Sequence, residues 1–540
     1  MINYTKEQSI AIEYPSSMVL TACPGSGKTA VIVSKIVNDL ALCNDYQGVI
    51  AISYTNKASD ELKKRCLKVI SDPKSSFFGT IDKFYLTEII YQYIKHIWGY
   101  ADKIKIIKFN ELDDATKDKL SCFSNTEDVC KKIDTYDFKE VRDLYIKGYV
   151  VLEFIPLISF YVLINSLSCR RYLAKRYKSI YIDEYQDAGF IQHLIFLSLF
   201  KLGIKAVAVG DVDQSIYAYA GKSSKYLSSL LDEKSGFKPF EITINHRSHP
   251  SIINYASRLI NKNSSLLTSD AIHVYRTTIN GSQEDIVKWI DSNIGSIIST
   301  FGIKKESDIA ILAATNSSVS LVSGIIKTKS RAYLDDDLSI IGGETSLLLK
   351  ELLRFRFNKM ATAQEIIDSL RDKVFEKNSL REMRCVIKDV RKASEPQLIP
   401  TLRKAVKLLI TSDISSQHID AINSVIQNKM MLNNYLPVSE DELQIMTLHK
   451  AKGLEFDFVF HLDLYDWILP RREYIKNCFD EVFSHYDQCL NLHYVGVTRA
   501  KKAIVLINST ERFNFQHDLK RAKPSQFLSL NGLEGLYKNI

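Results

Sequence analysis

The chain of 540 residues is poor in the features that mark disulfide scaffolds, repeat proteins and flexible linkers. Its nine cysteines include no Cys-x-x-Cys pair and no histidine spacing typical of zinc, so we predict reduced and mostly packed thiols. No internal repeat, low-complexity tract or long Gly/Ser/Pro stretch is evident. Because 540 residues exceed what one hydrophobic core supports, these absences favour a globular protein of several domains.

Long uninterrupted apolar runs are missing as well. The most apolar run, residues 150–169, contains Glu153, Pro156 and Asn165, which a bilayer core penalises. Residues 1–14 are polar and lack the apolar centre of a secretion signal. We therefore expect a buried helix within residues 150–169, no membrane partner and a cytoplasmic location.

The charge is balanced but slightly basic, with a net charge of +8. This value is compatible with a partner that carries a phosphate backbone. The acidic run at residues 335–337 lacks the lysine context of a nuclease centre, and we interpret it as a solvated loop. The sequence thus shows no metal constellation for a self-contained nuclease.

Short and nearly continuous β-branched runs recur in both halves of the chain, as is typical of parallel strands covered on both faces. They occupy residues 49–53, 180–182, 206–209, 309–312, 444–447, 458–461 and 504–507. Helical patterns lie between them, so the predicted fold class is α/β with doubly wound parallel sheets. Two stretches, near residues 84–178 and 350–440, are mainly helical in pattern and are predicted to be inserted subdomains.

Residues 21–29 have the strand, loop and helix context of a P-loop. The glycines allow backbone N–H groups to surround phosphate oxygens at a helix N-terminus. Lys28 is expected to contact the β- and γ-phosphates, and the Thr29 hydroxyl to bind Mg²⁺. The predicted nucleotide contacts in this loop are Ala22, Cys23, Pro24, Gly25, Ser26, Gly27, Lys28 and Thr29.

Carboxylates follow a second apolar strand and complete the predicted site. Asp183 stands where a strand ends and is expected to hold Mg²⁺, while Glu184 is expected to polarise the attacking water. Gln214 follows the next strand and has the chemistry to read the γ-phosphate. Arg247 and Arg499 each follow a strand-like run, and guanidinium groups stabilise the charge of phosphoryl transfer.

In this order, the segments resemble the motifs of the UvrD/Rep-like superfamily 1 DNA helicases. The matching segments are residues 4–8, 22–29, 53–58, 79–84, 183–187, 210–217, 446–456 and 494–500. The resemblance implies that Gln8 reads adenine, that His246 stacks on it where the family often has an aromatic residue, and that Glu455 lies toward the sugar. It also implies that Lys28, Asp183, Glu184, Gln214, Arg247 and Arg499 act on ATP and Mg²⁺.

The same resemblance implies two RecA-like domains, each interrupted by a helical insertion. The first domain comprises residues 1–83 and 179–250 with an insertion at 84–178; the second comprises 251–349 and 440–540 with a short insertion at 350–439. The expected activity is an ATP-dependent helicase or translocase that moves 3′ to 5′ on single-stranded or tailed DNA. Its expected DNA contacts are Tyr54, Thr55, Asn56, Thr80, Tyr217, Tyr219, Thr447 and His449.

Two features leave a second reading open. Ala220 stands where the family often has an arginine that couples DNA contact to hydrolysis, and the second insertion is short. A DNA-gated ATPase switch, or a regulatory subunit of a nuclease complex with little unwinding activity, is therefore the alternative. The compactness and residues 78–84 also resemble the UvrD-like helicase subunit of Gabija anti-phage systems, which implies an OLD-like endonuclease partner.

Overall fold

The computed structural model divides into two compact units, Met1–Arg247 and Ser248–Ile540. It describes every residue except 1–3, 55, 71, 102–103, 124–125, 132, 134–136, 218–220, 370–376, 411, 476–479 and 514–517. Each unit is built around one parallel sheet.

The sheet of the first unit has six strands in the order β3-β2-β6-β7-β1-β8, and all of its pairs are parallel. The strands of this unit are β1 (Met18–Ala22), β2 (Gly48–Ile52), β3 (Phe77–Gly79), β4 (Lys105–Ile107), β5 (Tyr149–Val151), β6 (Tyr177–Ile182), β7 (Lys205–Gly210) and β8 (Lys238–Ile242). Its helices are α1 (Lys6–Glu13), α2 (Lys28–Ala41), α3 (Asn56–Leu67), α4 (Ile81–Phe84), α5 (Tyr91–Tyr93), α6 (Lys95–Trp98), α7 (Asp114–Leu120), α8 (Thr126–Lys131), α9 (Lys139–Ile146), α10 (Ile155–Asn165), α11 (Leu167–Arg176), α12 (Phe190–Lys201) and α13 (Lys225–Leu230).

Both faces of this sheet are covered, which explains the continuous apolar runs. On β1, Leu20 packs with α1, α2 and α3 on one face, whereas Val19 packs with α10 and α12 on the other. Alternate residues of a strand point to opposite faces, so a strand between two helical layers needs apolar residues at every position. The predicted strands at residues 49–53, 180–182 and 206–209 are confirmed as β2, β6 and β7.

Residues 84–178 are mainly helical, but they also contain the short parallel pair β4–β5. Their buried side chains form one continuous core with the sheet face that carries Val19. Within the described residues no single helix is both long and apolar enough to cross a bilayer, although Leu152–Asn165 and Leu167–Arg176 meet that test as a pair bent by 97°.

The sheet of the second unit has seven parallel strands in the order β11-β12-β10-β13-β14-β9-β17. The strands of this unit, which include the separate antiparallel pair β15–β16, are β9 (Val274–Ile279), β10 (Ile309–Ala313), β11 (Ser330–Ala332), β12 (Leu443–Thr447), β13 (Phe456–His461), β14 (Ala500–Ser509), β15 (Glu511–Phe513), β16 (Leu519–Arg521) and β17 (Lys538–Asn539). The helices are α14 (Pro250–Ile260), α15 (Gln283–Phe301), α16 (Asn316–Ile325), α17 (Asp337–Ile341), α18 (Gly343–Phe357), α19 (Ala363–Ser369), α20 (Lys377–Lys392), α21 (Glu395–Ile410), α22 (Ser416–Gln427), α23 (Lys429–Leu432), α24 (Leu448–Ala451) and α25 (Tyr486–Val497).

Helices α17 to α23 have a core of their own, separate from the core of the second sheet. The interpretation of residues 335–337 as a solvated loop is wrong for Asp336, which is 1% exposed. Its carboxylate accepts hydrogen bonds from the Ser339 backbone at 2.8 Å and from the Tyr435 hydroxyl. Asp336 is therefore the N-cap of α17, and its carboxylate also contacts a tyrosine distant in sequence.

Candidate nucleotide and DNA sites

The loop between β1 and α2 turns at two glycines in the left-handed region. Gly25 has φ 71° and Gly27 has φ 78°, values that a side chain makes costly. Gly27 is also the N-cap of α2, so no N-cap side chain occupies the N–H groups of the first turn. Lys28 and Thr29 begin a helix of 14 residues, whose N-terminal dipole and N–H groups favour an anion.

Helix α1 holds this loop from one side through Gln8, which is 5% exposed. Gln8 Nε2 donates to the Ser26 carbonyl at 2.8 Å, while Gln8 Oε1 accepts from the Thr5 backbone at 2.8 Å. A Cβ on Gly27 would lie 2.8 Å from Gln8 Nε2. The amide is therefore fixed against the loop rather than extended into solvent.

Residues 242–247 hold the loop from the other side. The Cys23 N–H donates to the Ile242 carbonyl at 3.3 Å, and the His246 N–H donates to the Gly25 carbonyl at 3.0 Å. A Cβ on Gly25 would lie 2.4 Å from Arg247 Cβ. The backbone of Arg247 is thus placed directly beside the loop, while the His246 side chain is exposed. Ala22 and Pro24, the remaining predicted loop contacts, are buried.

A half-buried ion pair joins the loop to the residue that follows β6 and Asp183. Lys28 Nζ lies 2.6 Å from Glu184 Oε1. Burial disfavours the charge on Lys28, but the neighbouring carboxylates, Glu184 first, outweigh burial and raise the Lys28 pKa. Burial raises the pKa of Asp183 to about 6; Lys28 opposes this shift and Glu184 adds to it. Glu184 has φ 57°, a strained conformation for a non-glycine residue of the kind found at functional sites.

A hydrogen-bonded network continues from this pair to the end of β7. Gln186 Nε2 donates to Glu184 Oε2 at 2.6 Å, and Gln186 Oε1 accepts from the Asp211 N–H at 3.0 Å. Gln214 Nε2 then donates to Asp211 Oδ2 at 2.7 Å. Burial raises the pKa of Asp211, a shift that the bond from Gln214 opposes. The structure therefore brings Lys28, Glu184 and Gln214 into one connected set.

This arrangement fits a nucleoside triphosphate with Mg²⁺. The glycine turn, the helix N-terminus and the Lys28 ammonium suit phosphate oxygens. The Thr29 hydroxyl and the Asp183 carboxylate are oxygen donors of the kind that Mg²⁺ prefers. A bound Mg²⁺ would be held by these two side chains and would neutralise phosphate charge.

The predicted DNA contacts of the first unit also follow the carboxyl ends of its strands. Tyr54 follows β2, Thr80 is the N-cap of α4 after β3, and Tyr217 follows β7. Thr55 and Tyr219 lie outside the described residues, and of Asn56 only its position as the first residue of α3 is described. Tyr54 and Tyr217 face a common cation, the Lys222 ammonium, at 4.6 Å and 5.8 Å from their ring centroids.

In the second unit, Arg499 lies between α25 and β14 and is 2% exposed. Its Nε donates to the Val495 carbonyl at 3.0 Å and its Nη1 to the Leu454 carbonyl at 3.2 Å. Burial against backbone carbonyls fixes the orientation of this guanidinium within its own unit.

The other predicted residues of the second unit surround the short helix α24. Thr447 is buried and caps this helix, accepting from the Lys450 N–H at 3.3 Å. His449 is half-buried, and burial lowers its pKa, as does the nearby Lys452 charge. Glu455 is exposed, with Oε1 4.0 Å from Lys501 Nζ.

No sequence pattern predicts a role for Gln186, Asp211 or Asn245. Gln186 and Asp211 connect Glu184 to Gln214, and Asn245 Oδ1 accepts from the Arg247 N–H at 2.7 Å. Gln186 and Asp211 stand inside segments that the resemblance marked, and Asn245 stands two residues before Arg247. In the sequence, each of these three residues is visible only as a polar residue near a predicted functional residue. The folded chain is needed to show which atoms its side chain connects.

Among the residues that the structure describes, no cluster of three or more His, Cys, Asp or Glu side chains is placed to hold a metal ion. The eight cysteines in this part of the chain form no disulfide.

The parallel sheets, the glycine-turned loop and the lysine–carboxylate pair define a P-loop nucleoside triphosphatase. The family model of the UvrD/REP helicase N-terminal domain matches residues 4–144 and 113–234, and that of the UvrD-like helicase C-terminal domain matches residues 340–511. The chain belongs to the UvrD/Rep-like DNA helicases and is a DNA-dependent ATPase of that family, with the RecA-like fold class that the sequence predicts.

Proteins similar to this chain fall into two groups by the length of their alignment with it. The Gabija protein GajB of Bacillus cereus (strain VD045) is 27% identical over 525 residues, 92% of this chain and 94% of the relative. The ATP-dependent DNA helicase Rep of Buchnera aphidicola subsp. Baizongia pistaciae (strain Bp) is 26% identical over 641 residues, 97% of this chain and 94% of the relative. DNA helicase II of Haemophilus influenzae is 23% identical over 660 residues, 98% of this chain and 86% of the relative. Because the last two alignments are longer than the chain, those relatives contain insertions that it lacks.

Proposed function

We propose that the chain is an ATP-driven motor that moves 3′ to 5′ along single-stranded DNA and acts in anti-phage defence beside an OLD-like ATP-dependent endonuclease. Membership of the helicase family supports the motor, and similarity to a Gabija protein over nearly the full length of both chains supports the defence role. The direction, the partner and the residue roles are inferences from the resemblance.

The observation that carries the motor function is the connected set from Lys28 through Glu184 to Gln214. Lys28 begins the helix after the phosphate-binding loop, and Gln214 stands three residues before Tyr217, a predicted base-stacking residue. One short segment after β7 therefore carries both a residue for the nucleotide and a residue for DNA. Such a segment suits a motor, because a change at the phosphate moves the DNA-facing side chain.

Each side chain has a proposed role in ATP hydrolysis. Lys28 neutralises the β- and γ-phosphates. When a phosphate replaces Glu184 as the partner of Lys28, Glu184 becomes available to orient the attacking water. Gln214 responds to the γ-phosphate. Arg247 and Arg499 stabilise the negative charge of the transition state. After hydrolysis their contacts with the phosphates are lost, and DNA binding then weakens.

Substitution of Lys28 tests the assignment of the ATPase site. We expect Lys28→Ala to lower kcat of DNA-stimulated ATP hydrolysis about hundredfold or more, as removal of a charge-stabilising group from a phosphoryl-transfer site does. Lys201→Ala, an exposed lysine at the end of α12, is the matched control and should retain wild-type activity. Hydrolysis by Lys28→Ala at the wild-type rate would show that the loop is not the ATPase site.

The second candidate, a DNA-gated switch with little unwinding activity, is favoured by the insertions that Rep has and this chain lacks. A strand-displacement assay with 3′-tailed and 5′-tailed duplexes separates the two functions. Displacement of only the 3′-tailed duplex supports the motor and its direction. ATP hydrolysis on single-stranded DNA without displacement of either duplex supports the switch. Co-purification from the native host with an OLD-like endonuclease would support the proposed partner.

A further inference from the structure

The cation that faces both Tyr54 and Tyr217 has no role in the ATPase site. Lys222 Nζ lies 4.6 Å from the centroid of the Tyr54 ring and 5.8 Å from that of Tyr217. Both rings are partly exposed, and Tyr54 packs against the core of the first unit. One ammonium is therefore placed beside two ring faces of the type on which DNA bases stack.

The backbone around Lys222 is held at several points. Its N–H donates to the Tyr217 carbonyl at 3.4 Å, and it forms an isolated antiparallel bridge with Gly189. The next N–H, that of Ser223, donates to the Ala188 carbonyl at 3.1 Å. These bonds connect Lys222 to the segment between β6 and α12 as well as to Tyr217. The position of the Lys222 backbone is thus set by the fold.

The local charge also suits a phosphate. Asp82, in α4, interacts electrostatically with Lys222, and burial raises the pKa of Asp82 while Lys222 opposes that shift. A backbone phosphate of DNA carries one negative charge, as Asp82 does when ionised, but it is exposed to solvent and can approach Lys222 from outside the protein. A lysine ammonium is compact and has three donors, so it can bind a phosphate oxygen while it remains beside the rings.

We infer that Lys222 binds a backbone phosphate of single-stranded DNA, next to a base stacked on Tyr54 or Tyr217. The inference rests on the proposed function, because it takes single-stranded DNA as the ligand of the first unit. It adds a residue to which the sequence analysis gave no role. Lys222 fixes the strand on the aromatic faces, and Tyr217 connects that contact to the segment that carries Gln214.

The test is the salt dependence of single-stranded DNA binding, measured with a fluorescent oligothymidine and without ATP. A phosphate contact on a single strand contributes about 0.7 to the slope of log Kobs against log salt concentration. Lys222→Ala and Lys222→Met should each reduce the slope by about 0.7 and weaken binding about fivefold at 0.1 M salt. Lys222→Arg should retain the wild-type slope, because it keeps the charge.

The chain offers a matched control three residues away. Lys225 is exposed, and its Nζ lies 4.9 Å from the centroid of the Tyr226 ring, whose residue is buried. Lys225→Ala removes the same charge and the same type of ring contact, and it should leave the slope unchanged. Thermal unfolding of all variants identifies any loss of fold.

Two results overturn the inference, and they differ from failure of the proposed function. A wild-type slope in folded Lys222→Ala and Lys222→Met shows that Lys222 does not bind phosphate, while the motor function stands. An equal loss of slope in Lys225→Ala shows only a general effect of surface charge. If the wild-type protein does not bind single-stranded DNA at low salt, the proposed function and the inference both fail.

Discussion

Substitution of Gly25 by alanine isolates the effect of the phosphate-binding loop from general strain. Gly25 (φ 71°) and Gly203 (φ 84°) both lie in the left-handed region, so alanine at either position costs about 1–2 kcal/mol of strain. The surroundings differ. A Cβ on Gly25 would lie 2.4 Å from Arg247 Cβ and 2.7 Å from Asn245 Oδ1, whereas nothing lies within 4 Å of a Cβ on Gly203.

The overlap at Gly25 cannot be relieved by one flexible side-chain end. Asn245 Oδ1 already accepts from the Arg247 N–H, and the His246 N–H donates to the Gly25 carbonyl. The loop and the segment 242–247 must therefore move apart. We expect Gly25→Ala to weaken binding of a fluorescent ATP analogue about tenfold or more, the equivalent of at least about 1.4 kcal/mol.

Gly203→Ala is the control, because it has the same left-handed backbone but no atom within 4 Å of the added Cβ. Gly203→Ala should lower the unfolding temperature by about 2–8 °C for its 1–2 kcal/mol and leave the affinity for ATP unchanged. Fluorescence titration measures the affinity, and thermal unfolding measures the strain. The reasoning is refuted if Gly25→Ala binds the analogue like the wild type, or if Gly203→Ala loses as much affinity.

The remaining predictions concern the carboxylates around Lys28. Gln186→Leu removes the two hydrogen bonds that join Glu184 to Asp211. Because a hydrogen bond to a charged group contributes about 1.5–3 kcal/mol, kcat of ATP hydrolysis should fall roughly ten- to hundredfold. Gln92→Leu, at an exposed glutamine, is the control and should have no effect, and equal kcat for both variants would contradict the network. The pKa of Asp183 is raised from 3.8 to about 6, so its carboxylate becomes protonated as the pH falls through 6. Below that pH, kcat/KM of ATP hydrolysis should fall tenfold per pH unit. Full activity down to pH 5 would show that Asp183 is not needed as an anion.

The sequence predicted the fold class and the positions of the central strands because these depend on short-range patterns. The runs at residues 309–312, 444–447, 458–461 and 504–507 are confirmed within β10, β12, β13 and β14. A strand covered on both faces needs a run of apolar residues, and that run is visible without knowledge of its neighbours. The pair β4–β5 escaped prediction because each strand has only three residues.

The contacts within the site depend on distant parts of the chain, and the sequence alone does not pair them. Gln186 connects two strand ends that are adjacent only in the folded sheet. The burial of Arg499 against the Leu454 carbonyl joins segments 45 residues apart. Asp336 looks like a solvated acid until Tyr435 is placed beside it. A motif therefore predicts which residue types act, whereas tertiary packing decides which atoms meet.

The proposed motor depends on a phosphate that binds at the loop of the first unit and replaces Glu184 as the partner of Lys28. The most direct measurement is a structure of the protein with a 3′-tailed DNA, ADP and aluminium fluoride. We expect Lys28 Nζ to leave Glu184 and to lie within hydrogen-bond distance of the phosphate analogue. A structure in which the analogue binds away from the loop, with Lys28 still paired with Glu184, would contradict the account.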